Sequence, residues 1–175
     1  MRVIGGTARG RPLRAKLPPS VRPTTDYARE AIFSMLESRG GLRGLVVADL
    51  YCGSGAMGIE ALSRGAQLVY FVDADRACLA AAEENLAPLA LAGRATFVQA
   101  LLPRWSPPDG LDLVLADPPY GPLDLAGLLE GVHAGRVMVE NDRFMDPPPG
   151  WRVTKEKRYG TTLVTMLEPT SGDLS

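Results

Sequence analysis

Short apolar runs alternate with helical patterns through residues 45–140 of the chain. The runs consist mostly of Val, Leu, Ala and Phe without strict polar alternation, which is typical of strands covered by helices on both faces. They are Leu45–Asp49, Leu68–Asp73, Ala95–Val98, Leu111–Ala116 and Val137–Glu140. The helical segments between them are Gly55–Ser63, Arg76–Ala87 and Leu123–Glu130. This order predicts a doubly wound α/β fold with a mostly parallel sheet and right-handed crossovers.

The N-terminal residues follow a different pattern. Residues 1–23 place basic and apolar residues around Gly5-Gly6 and Arg9-Gly10-Arg11 and then become rich in proline, which predicts a short hairpin arm followed by a linker. Thr24-Thr25-Asp26 offers capping oxygens for a helix, and Gly40-Gly41 would end it. The apolar residues of this helix recur at helical spacing, so one of its faces is expected to be buried.

The C-terminal residues predict an antiparallel hairpin. Trp151–Lys157 and Thr161–Glu168 are strand-like segments on either side of Arg158-Tyr159-Gly160. We therefore divide the chain into a basic N-terminal arm and linker at 1–23, a Rossmann-like domain at 24–168 and a flexible tail at 169–175.

Composition excludes several classes of protein. At 175 residues and 46% hydrophobic content, the chain has the size of one domain with a substantial core. No apolar stretch reaches the roughly 20 residues of a membrane span and the N-terminus lacks a signal-peptide pattern, so we expect a cytoplasmic protein without a membrane partner. Two cysteines and one histidine are too few for a disulfide framework or a metal centre. We expect a monomer without a metal.

Charge is unevenly distributed along the chain, although its net value is only −1. Residues 1–43 carry nine basic and three acidic side chains, a balance of +6, so the remaining residues carry −7. Such asymmetry indicates a nucleic-acid partner, because Lys and Arg contacts to phosphate supply most of the non-specific affinity. A solvated basic hairpin is the alternative.

A glycine-rich turn follows the first apolar run. Gly53-Ser54-Gly55-Ala56-Met57-Gly58 matches the G-x-G-x-x-G fingerprint of nucleotide-binding folds, and Asp73 follows about twenty residues later, where it can accept from ribose hydroxyls. NAD enzymes and S-adenosylmethionine enzymes both use these parts. Asp49 lies shortly before the first glycine, where a carboxylate opposes a pyrophosphate but suits the amino group of a methionyl moiety. The sequence therefore favours S-adenosylmethionine.

Asp117-Pro118-Pro119-Tyr120 directly follows an apolar run. The prolines lack backbone donors and disfavour a helix, so the carbonyls there can accept the two hydrogens of an exocyclic amine. Tyr120 can stack on the ring that carries this amine, a contact worth roughly 1–3 kcal/mol per base in single-strand binders. Because strand ends meet at one crevice in such folds, Asp49, Asp73 and Asp117 are expected to converge. The motif predicts a site that presents an amine to a methyl donor; a simple proline-rich turn is the alternative.

Six segments together carry a family resemblance. They are Arg2-Val3-Ile4-Gly5-Gly6, Arg9-Gly10-Arg11, Arg22-Pro23-Thr24-Thr25-Asp26, Arg29-Glu30, the run from Asp49 to Gly58, and Asp117-Pro118-Pro119-Tyr120. The chain resembles the RsmD family of bacterial 16S rRNA guanine-N2 methyltransferases over nearly its whole length up to Glu168. The resemblance implies a seven-stranded class I methyltransferase fold, S-adenosylmethionine as cofactor, and 16S rRNA of the assembled small ribosomal subunit as partner. The substrate is implied by resemblance alone, because a fold does not fix a substrate.

The motifs and the resemblance give three sets of candidate site residues. The catalytic set is Asp117, Pro118, Pro119 and Tyr120. The cofactor-binding set is Asp49, Tyr51, Gly53, Gly55, Asp73, Ala74, Gln99, Ala100 and Asp117. The RNA-binding set is Arg2, Arg9, Arg11, Arg14, Lys16, Arg22, Thr24, Thr25 and Arg29.

Several alternatives remain open. Gln99-Ala100 stands where such enzymes commonly have Asp or Asn before Ala, so an adenine contact there depends on the longer Gln side chain. Arg29 and Glu30 either reach the substrate pocket or pair on the helix surface. The accepting amine could belong to adenine N6 or to a protein glutamine. The fold could also serve an NAD-dependent oxidoreductase or a non-catalytic RNA-binding assembly factor.

Overall fold

A computed structural model describes residues 1–16 and 26–170 of the chain. Its strands are β1 Val46–Leu50, β2 Leu68–Asp73, β3 Ala95–Gln99, β4 Leu113–Ala116, β5 Arg136–Asn141, β6 Trp151–Tyr159 and β7 Thr162–Pro169. Its α-helices are α1 Asp26–Glu37, α2 Ala56–Ser63, α3 Arg76–Leu86 and α4 Leu125–Leu128, and short 3-10 turns follow α3 at Ala87–Leu89 and Ala92–Arg94. The seven strands form one sheet in the order β3-β2-β1-β4-β5-β7-β6. The predicted class I, Rossmann-like α/β fold is confirmed.

The strand order reverses direction beside β1. This strand pairs in parallel with β2 on one side and with β4 on the other, and β3 and β5 extend the two halves, also in parallel. Leu50, the last residue of β1, lies opposite Ala116, the last residue of β4. The carboxyl ends of β1 and β4 therefore meet at the topological switch point, where open α/β sheets bind their ligands.

The last two strands form the predicted antiparallel hairpin. β7 pairs antiparallel with both β5 and β6, which leaves β6 at the edge of the sheet. The register of β6 shifts between Val153 and Lys155. Asn141 at the end of β5 lies opposite Leu163 near the start of β7. The tip of the hairpin therefore reaches the same end of the sheet as the switch point.

Apolar layers cover both faces of the sheet. On one face α1, α2 and α3 pack against side chains such as Phe71 and Leu115. On the other face α4 and loop residues such as Trp105 cover the strands, and the Trp105 indole donates to the Leu128 carbonyl at 3.1 Å. This double cover explains why the strand sequences are almost continuously apolar.

The first helix buries the face that its spacing predicts. Ala28, Ile32, Phe33 and Leu36 are all buried. The chain leaves α1 through Gly40 and Gly41, whose φ values of 105° and 72° favour glycine. The predicted capping residues Thr24 and Thr25 lie outside the described residues, as does most of the predicted linker and of the predicted tail.

One predicted element is shorter than its pattern suggests. The helix expected over Leu123–Glu130 is wrong in extent, because only Leu125–Leu128 is helical. The Asp124 side chain caps it by accepting from the Gly127 amide at 2.9 Å, and Gly131 turns the chain at a φ of 70°. Two glycines within five residues lower the helix propensity of this segment. The strand boundaries differ from the predicted ones by no more than two residues.

Residues 1–16 form the predicted hairpin, which we call the arm. An isolated β-bridge joins Arg2 and Pro12, and the Val3 amide donates to the Arg11 carbonyl at 3.0 Å. The arm packs against the helical layer through three buried side chains, Val3, Ala8 and Leu13. It therefore contributes to the core of the domain.

A buried carboxylate holds the arm on α2. Glu60 is fully buried, and its two oxygens accept from the amides of Ile4 and Gly5, each at 2.7 Å. Arg64 adds a 2.8 Å bond from its Nε to the same carboxylate. Two consecutive amides thus converge on one negative charge, which compensates its burial.

The last residue of α2 makes a second set of contacts with the arm. The Ser63 hydroxyl accepts from the Ala8 amide at 2.9 Å, and the Ser63 carbonyl accepts from the Thr7 amide at 2.8 Å. Gly6 lies so close that a Cβ atom would overlap the Ser63 carbonyl, and its φ is 73°. Only glycine fits this position without displacing the arm.

Candidate active site

Three carboxylates lie around the crevice at the switch point. Asp49 is buried within β1, Asp73 ends β2, and Asp117 follows β4. Burial raises the pKa of the Asp49 carboxyl well above its ordinary value, and the negative charges of Asp117 and Asp73 raise it further, whereas a bond from the Gly58 amide lowers it. The carboxylates are thus close enough to interact electrostatically.

Two of these carboxylates hold the glycine turn. Asp49 accepts from the Gly58 amide at 2.8 Å, and Asp73 accepts from the Gly53 amide at 3.0 Å. Gly55 has a φ of 76°, and a Cβ atom there would lie 2.8 Å from the Cβ of Ala82. The turn is therefore shaped by close packing of α2 on the sheet and by bonds to acids at the strand ends.

Asn85 of α3 also supports this turn. Its amide nitrogen donates to the Ser54 carbonyl at 3.0 Å, and its oxygen accepts from the Ala15 amide at 2.9 Å. The side chain is buried. One side chain thus joins the arm to the glycine turn.

The second edge of the crevice lies between β2 and β3. Asp73 and Gln99 are paired across these strands, and the Ala100 amide donates to the Asp73 carbonyl at 3.0 Å. The Gln99 amide nitrogen donates to the Ala74 carbonyl at 3.1 Å. In this orientation the Gln99 oxygen is turned away from the Ala74 carbonyl, and the two Asp73 oxygens accept from the amides of Gly53 and Asp75, each at 3.0 Å; the predicted contacts of Gln99 with adenine and of Asp73 with ribose stay predictions.

Tyr51 lies between the first strand and the glycine turn in a left-handed conformation. Its φ of 59° is unusual for a residue with a side chain and costs on the order of 1–3 kcal/mol. Burial raises the pKa of its hydroxyl, and Asp124 and Asp73 add to the shift. Strain of this kind is concentrated at ligand sites, and the turn at Tyr51 leads from β1 directly into the crevice.

The Asp117-Pro118-Pro119-Tyr120 segment begins at the end of β4. The Asp117 amide donates to the Leu50 carbonyl at 3.4 Å, which places the motif against the end of β1. Asp117 is partly exposed, Pro118 is buried, and Tyr120 is 39% exposed. The aromatic ring thus stands at the rim of the crevice.

A hydrogen-bonded chain fixes the Tyr120 ring. Its hydroxyl lies 2.9 Å from the hydroxyl of Thr162, which in turn donates to the Glu140 carboxylate at 3.4 Å. Because the carboxylate accepts from Thr162, the Thr162 oxygen is best placed to accept from Tyr120. Both Thr162 and Glu140 are buried. These two residues were not among the site residues predicted from the sequence. A usable signal was their place in the sequence: Glu140 ends one apolar run, and Thr162 lies near the start of another.

Known proteins similar to this chain include methyltransferases. The family model described as "Conserved hypothetical protein 95" matches residues 1–168. The chain belongs to this family. The relatives and the solved structure described next confirm its resemblance to the RsmD proteins.

Two relatives and one structure are informative. "Putative rRNA methyltransferase YlbH" of Bacillus subtilis (strain 168) is 36% identical over 184 residues, which cover 96% of this chain and 98% of the relative. "Ribosomal RNA small subunit methyltransferase D" of Escherichia coli (strain K12) is 38% identical over 137 residues, which cover 74% of this chain and 63% of that protein. The structure "Putative methyltransferase yhhF from Escherichia coli" superposes with a TM-score of 0.81 at 30% identity and covers 98% of this chain and 99% of its own.

The basic residues of the arm lie at different distances from the crevice of this RsmD-family fold. Arg2, Arg9, Arg14 and Lys16 are exposed, and Arg11 donates to the Pro88 carbonyl at 3.2 Å. The arm residues next to Arg9 contact the end of α2, about 12 Å from the crevice end of this eight-residue helix. By contrast, Ala15 contacts Asn85, which supports the glycine turn. The end of the arm at residues 14–16, which we call its open end, is therefore nearest to the crevice. Arg22, Thr24 and Thr25 lie outside the described residues.

Arg29 of α1 lies inside the protein, between this helix and the arm. It is fully buried; one Nη donates to the Arg2 carbonyl at 2.6 Å and to Asp26 at 2.9 Å. Burial lowers the pKa of its guanidinium, whereas Asp26 and Glu60 raise it. Its predicted RNA contact needs an exposed cation, so we correct that assignment: Arg29 ties α1 to the arm, while Glu30 is exposed on the helix surface.

Within residues 1–16 and 26–170, no group of three or more His, Cys, Asp or Glu side chains is placed to hold a metal ion. In the same part of the chain, no helix has the length and apolar content to cross a membrane.

Proposed function

We propose that this chain is an S-adenosylmethionine-dependent methyltransferase that acts on the N2 amine of a guanine in 16S rRNA. The observation that carries the proposal is the meeting of Asp117-Pro118-Pro119-Tyr120 with the glycine turn at the switch point between β1 and β4. The names of the relatives support ribosomal RNA as the substrate. Guanine N2 and the assembled small subunit rest on the likeness to the RsmD proteins.

The crevice suits the charge of S-adenosylmethionine. This cofactor supplies a methyl group activated by a positively charged sulfonium, and its methionyl end carries an ammonium group. Because Asp117 and Asp73 help to raise the pKa of Asp49 by repulsion, a bound cation would relieve this repulsion and favour the ionised form of all three acids. The same carboxylates oppose the negative pyrophosphate of NAD, which disfavours the oxidoreductase alternative.

Asp117 and the Pro118 carbonyl would orient the amine. Each accepts one of the two amine hydrogens, and together they fix the nitrogen with its lone pair toward the methyl group. The lone pair of an exocyclic amine is delocalised into the ring, so orientation is the main contribution; well-oriented pairs reach effective molarities on the order of 10⁵–10⁸ M. The amine proton becomes acidic only after methylation, and the Asp117 carboxylate is then in place to accept it.

Tyr120 would hold the ring of the target base. Removing a base from its stack costs a few kcal/mol in a duplex and less in a loop. Stacking on an aromatic side chain returns roughly 1–3 kcal/mol per base. The bond between the Tyr120 hydroxyl and Thr162 restricts the ring, so less entropy is lost when the base arrives.

The exposed cations at the open end of the arm would contact RNA phosphates. Such contacts position the enzyme without reading sequence. Exchange of both Arg14 and Lys16 for Ala should weaken RNA binding more at low salt than at high salt. An unchanged salt dependence would count against this role.

The function is tested by methyl transfer from labelled S-adenosylmethionine. The acceptors are undermethylated small subunits, naked rRNA, DNA and protein, assayed in parallel with identification of the modified nucleoside. N2-methylguanine in 16S rRNA is expected, and N6-methyladenine or methylglutamine would identify a different amine.

The role of Asp117 is tested by substitution. Asp117→Ala should abolish turnover, and calorimetry should show that the variant still binds S-adenosylmethionine, with an affinity lowered only by the loss of one of the three crevice carboxylates. Asp109→Ala removes a carboxylate from an exposed loop and should retain activity. Near-normal turnover by Asp117→Ala would exclude the assigned role.

A further inference from the structure

A groove between α1 and β6 is not used by the chemistry described above. It has a volume of about 440 Å³, and its lining includes Tyr27, Glu30, Ser34, Ser38, Lys155 and Tyr159. We propose that this groove binds a nucleotide of the substrate RNA that neighbours the target base. The inference rests on the proposed function and extends the RNA-contacting surface to β6, none of whose residues the sequence analysis assigned to RNA.

An aromatic pair forms one wall of the groove. The rings of Tyr27 and Tyr159 meet edge to face with centroids 5.5 Å apart and an interplanar angle of 79°. Tyr27 is nevertheless 66% exposed, so most of its ring surface is open to solvent beside this contact. Single-strand binders use such rings as platforms, because every base has a face that can stack.

Cations surround this pair. The Lys157 ammonium lies 5.2 Å from the centre of the Tyr159 ring, and Lys155 lines the groove. Two lysines, Lys155 and Lys157, lie at the groove against one acid, Glu30, whereas Arg158 lies over the Phe144 ring instead. This local excess of positive charge favours a polyanionic strand, with the phosphates at the lysines and a base against the rings.

The acid in the groove indicates which part of the nucleotide enters. Glu30 and the hydroxyls of Ser34 and Ser38 offer acceptors to the N–H groups of a base. A phosphate would be repelled by Glu30. The base therefore occupies the groove, and the backbone passes over Lys157.

The groove opens beside the candidate active site. Tyr159 is paired across the hairpin with Thr162, so the two side chains lie on the same face of the sheet. Thr162 in turn contacts the Tyr120 hydroxyl at 2.9 Å. A strand that delivers its target base to Tyr120 thus reaches the groove with an adjacent nucleotide.

Lysines on an edge strand have a second use, since they discourage pairing with other sheets. That use does not require an exposed tyrosine beside them, and it predicts a different response. If Lys157 only protected the edge, Lys157→Ala would promote self-association without changing the affinity for RNA.

Affinity for a fluorescein-labelled, unstructured 12-nucleotide RNA, measured by anisotropy with the full chain, tests the groove. Tyr27→Ala should weaken binding about 5- to 150-fold, which corresponds to one base–aromatic stack of roughly 1–3 kcal/mol. Tyr27→Phe keeps the ring and should retain most of the affinity. Tyr27→Phe should match the wild-type chain in urea unfolding, and Tyr27→Ala should lose only the stability of the ring contact with Tyr159. Both variants should bind S-adenosylmethionine like the wild-type chain.

Salt dependence tests the cations separately. Lys157→Ala should lower the slope of log K against log salt by about 0.7, the value for one phosphate contact on a single strand. Arg152→Ala removes the same charge from the far end of β6 and should leave the slope unchanged. Equal RNA affinities for Tyr27→Ala and the wild-type chain would overturn the proposal.

Three further outcomes separate this inference from the proposed function. If the wild-type chain methylates rRNA and Tyr27→Ala binds and methylates it normally, the groove assignment is wrong and the function stands. If Tyr27→Ala impairs methylation only of assembled subunits and binds the 12-nucleotide RNA normally, the groove contacts protein, which also overturns the proposal. Failure of the wild-type chain to methylate any RNA would refute the function, whereas the binding assay would still decide whether the groove holds a nucleotide.

Discussion

Exchange of Glu60 for Gln should loosen the arm from the domain. The carboxylate is fully buried and accepts two amide hydrogens, from Ile4 and Gly5, at 2.7 Å each. A carboxamide has one oxygen for these two donors, and its NH2 group would face the second donor. One charge-assisted bond is then lost, the other becomes a neutral bond, and Arg64 loses its buried counterion.

The size of this effect follows from the contacts. Hydrogen bonds to charged groups contribute about 1.5–3 kcal/mol each, and a buried donor left unsatisfied costs about 1–3 kcal/mol. We expect Glu60→Gln to lower the free energy of unfolding by about 2–4 kcal/mol, a large part of the 5–15 kcal/mol typical of a domain. For a chain of this length, this loss corresponds to a decrease in Tm of about 5–15 °C.

Urea denaturation followed by circular dichroism measures the change, with Glu84→Gln as the control because Glu84 is exposed on α3. The control should stay within about 0.5 kcal/mol of the wild-type chain. Amide hydrogen exchange locates the effect: Ile4 and Gly5 should lose protection first, and the β1 amides should keep it. If Glu60→Gln and Glu84→Gln unfold at the same urea concentration, the carboxylate does not hold the arm.

Two more substitutions test the site. Thr162→Val removes the hydroxyl between Tyr120 and Glu140 and should lower kcat about tenfold, equivalent to about 1.4 kcal/mol of lost positioning, with S-adenosylmethionine affinity unchanged. Thr162→Ser keeps a hydroxyl and should recover most of the rate. Equal kcat values for Thr162→Val and the wild-type chain would exclude a positioning role. Asp49→Asn tests the buried acid. Because burial raises the pKa of Asp49 above its ordinary value of 3.8 in the folded chain, ionisation of this acid costs stability. The wild-type chain therefore loses stability as pH rises from about 4 through the raised pKa. The variant should therefore gain stability relative to the wild-type chain with increasing pH, measured by thermal denaturation, and should bind S-adenosylmethionine less tightly; parallel pH profiles would contradict the assignment.

The parts of the molecule that local patterns encode could be predicted from the sequence. Apolar runs and glycine turns gave the strands and their order of appearance, and the rule that strand ends meet at the switch point brought Asp49, Asp73 and Asp117 to one crevice. The positions of Thr162 and Tyr159 could not be predicted in this way. They depend on the insertion of β7 between β5 and β6, a long-range pairing that no local pattern specifies.

The arm shows the same limit most clearly. Its pattern predicted a short hairpin arm, and its basic residues indicated contact with RNA phosphates. In the structure Val3 and Leu13 are buried in the core, Glu60 and Ser63 bind its backbone, and Asn85 joins it to the glycine turn. Deletion of residues 1–16 would therefore expose apolar surface and leave a buried carboxylate without its donors, so a loss of RNA binding after deletion would not isolate the phosphate contacts. Substitution of exposed cations leaves these contacts intact, and only such variants can separate the RNA-binding role of the arm from its role in the fold.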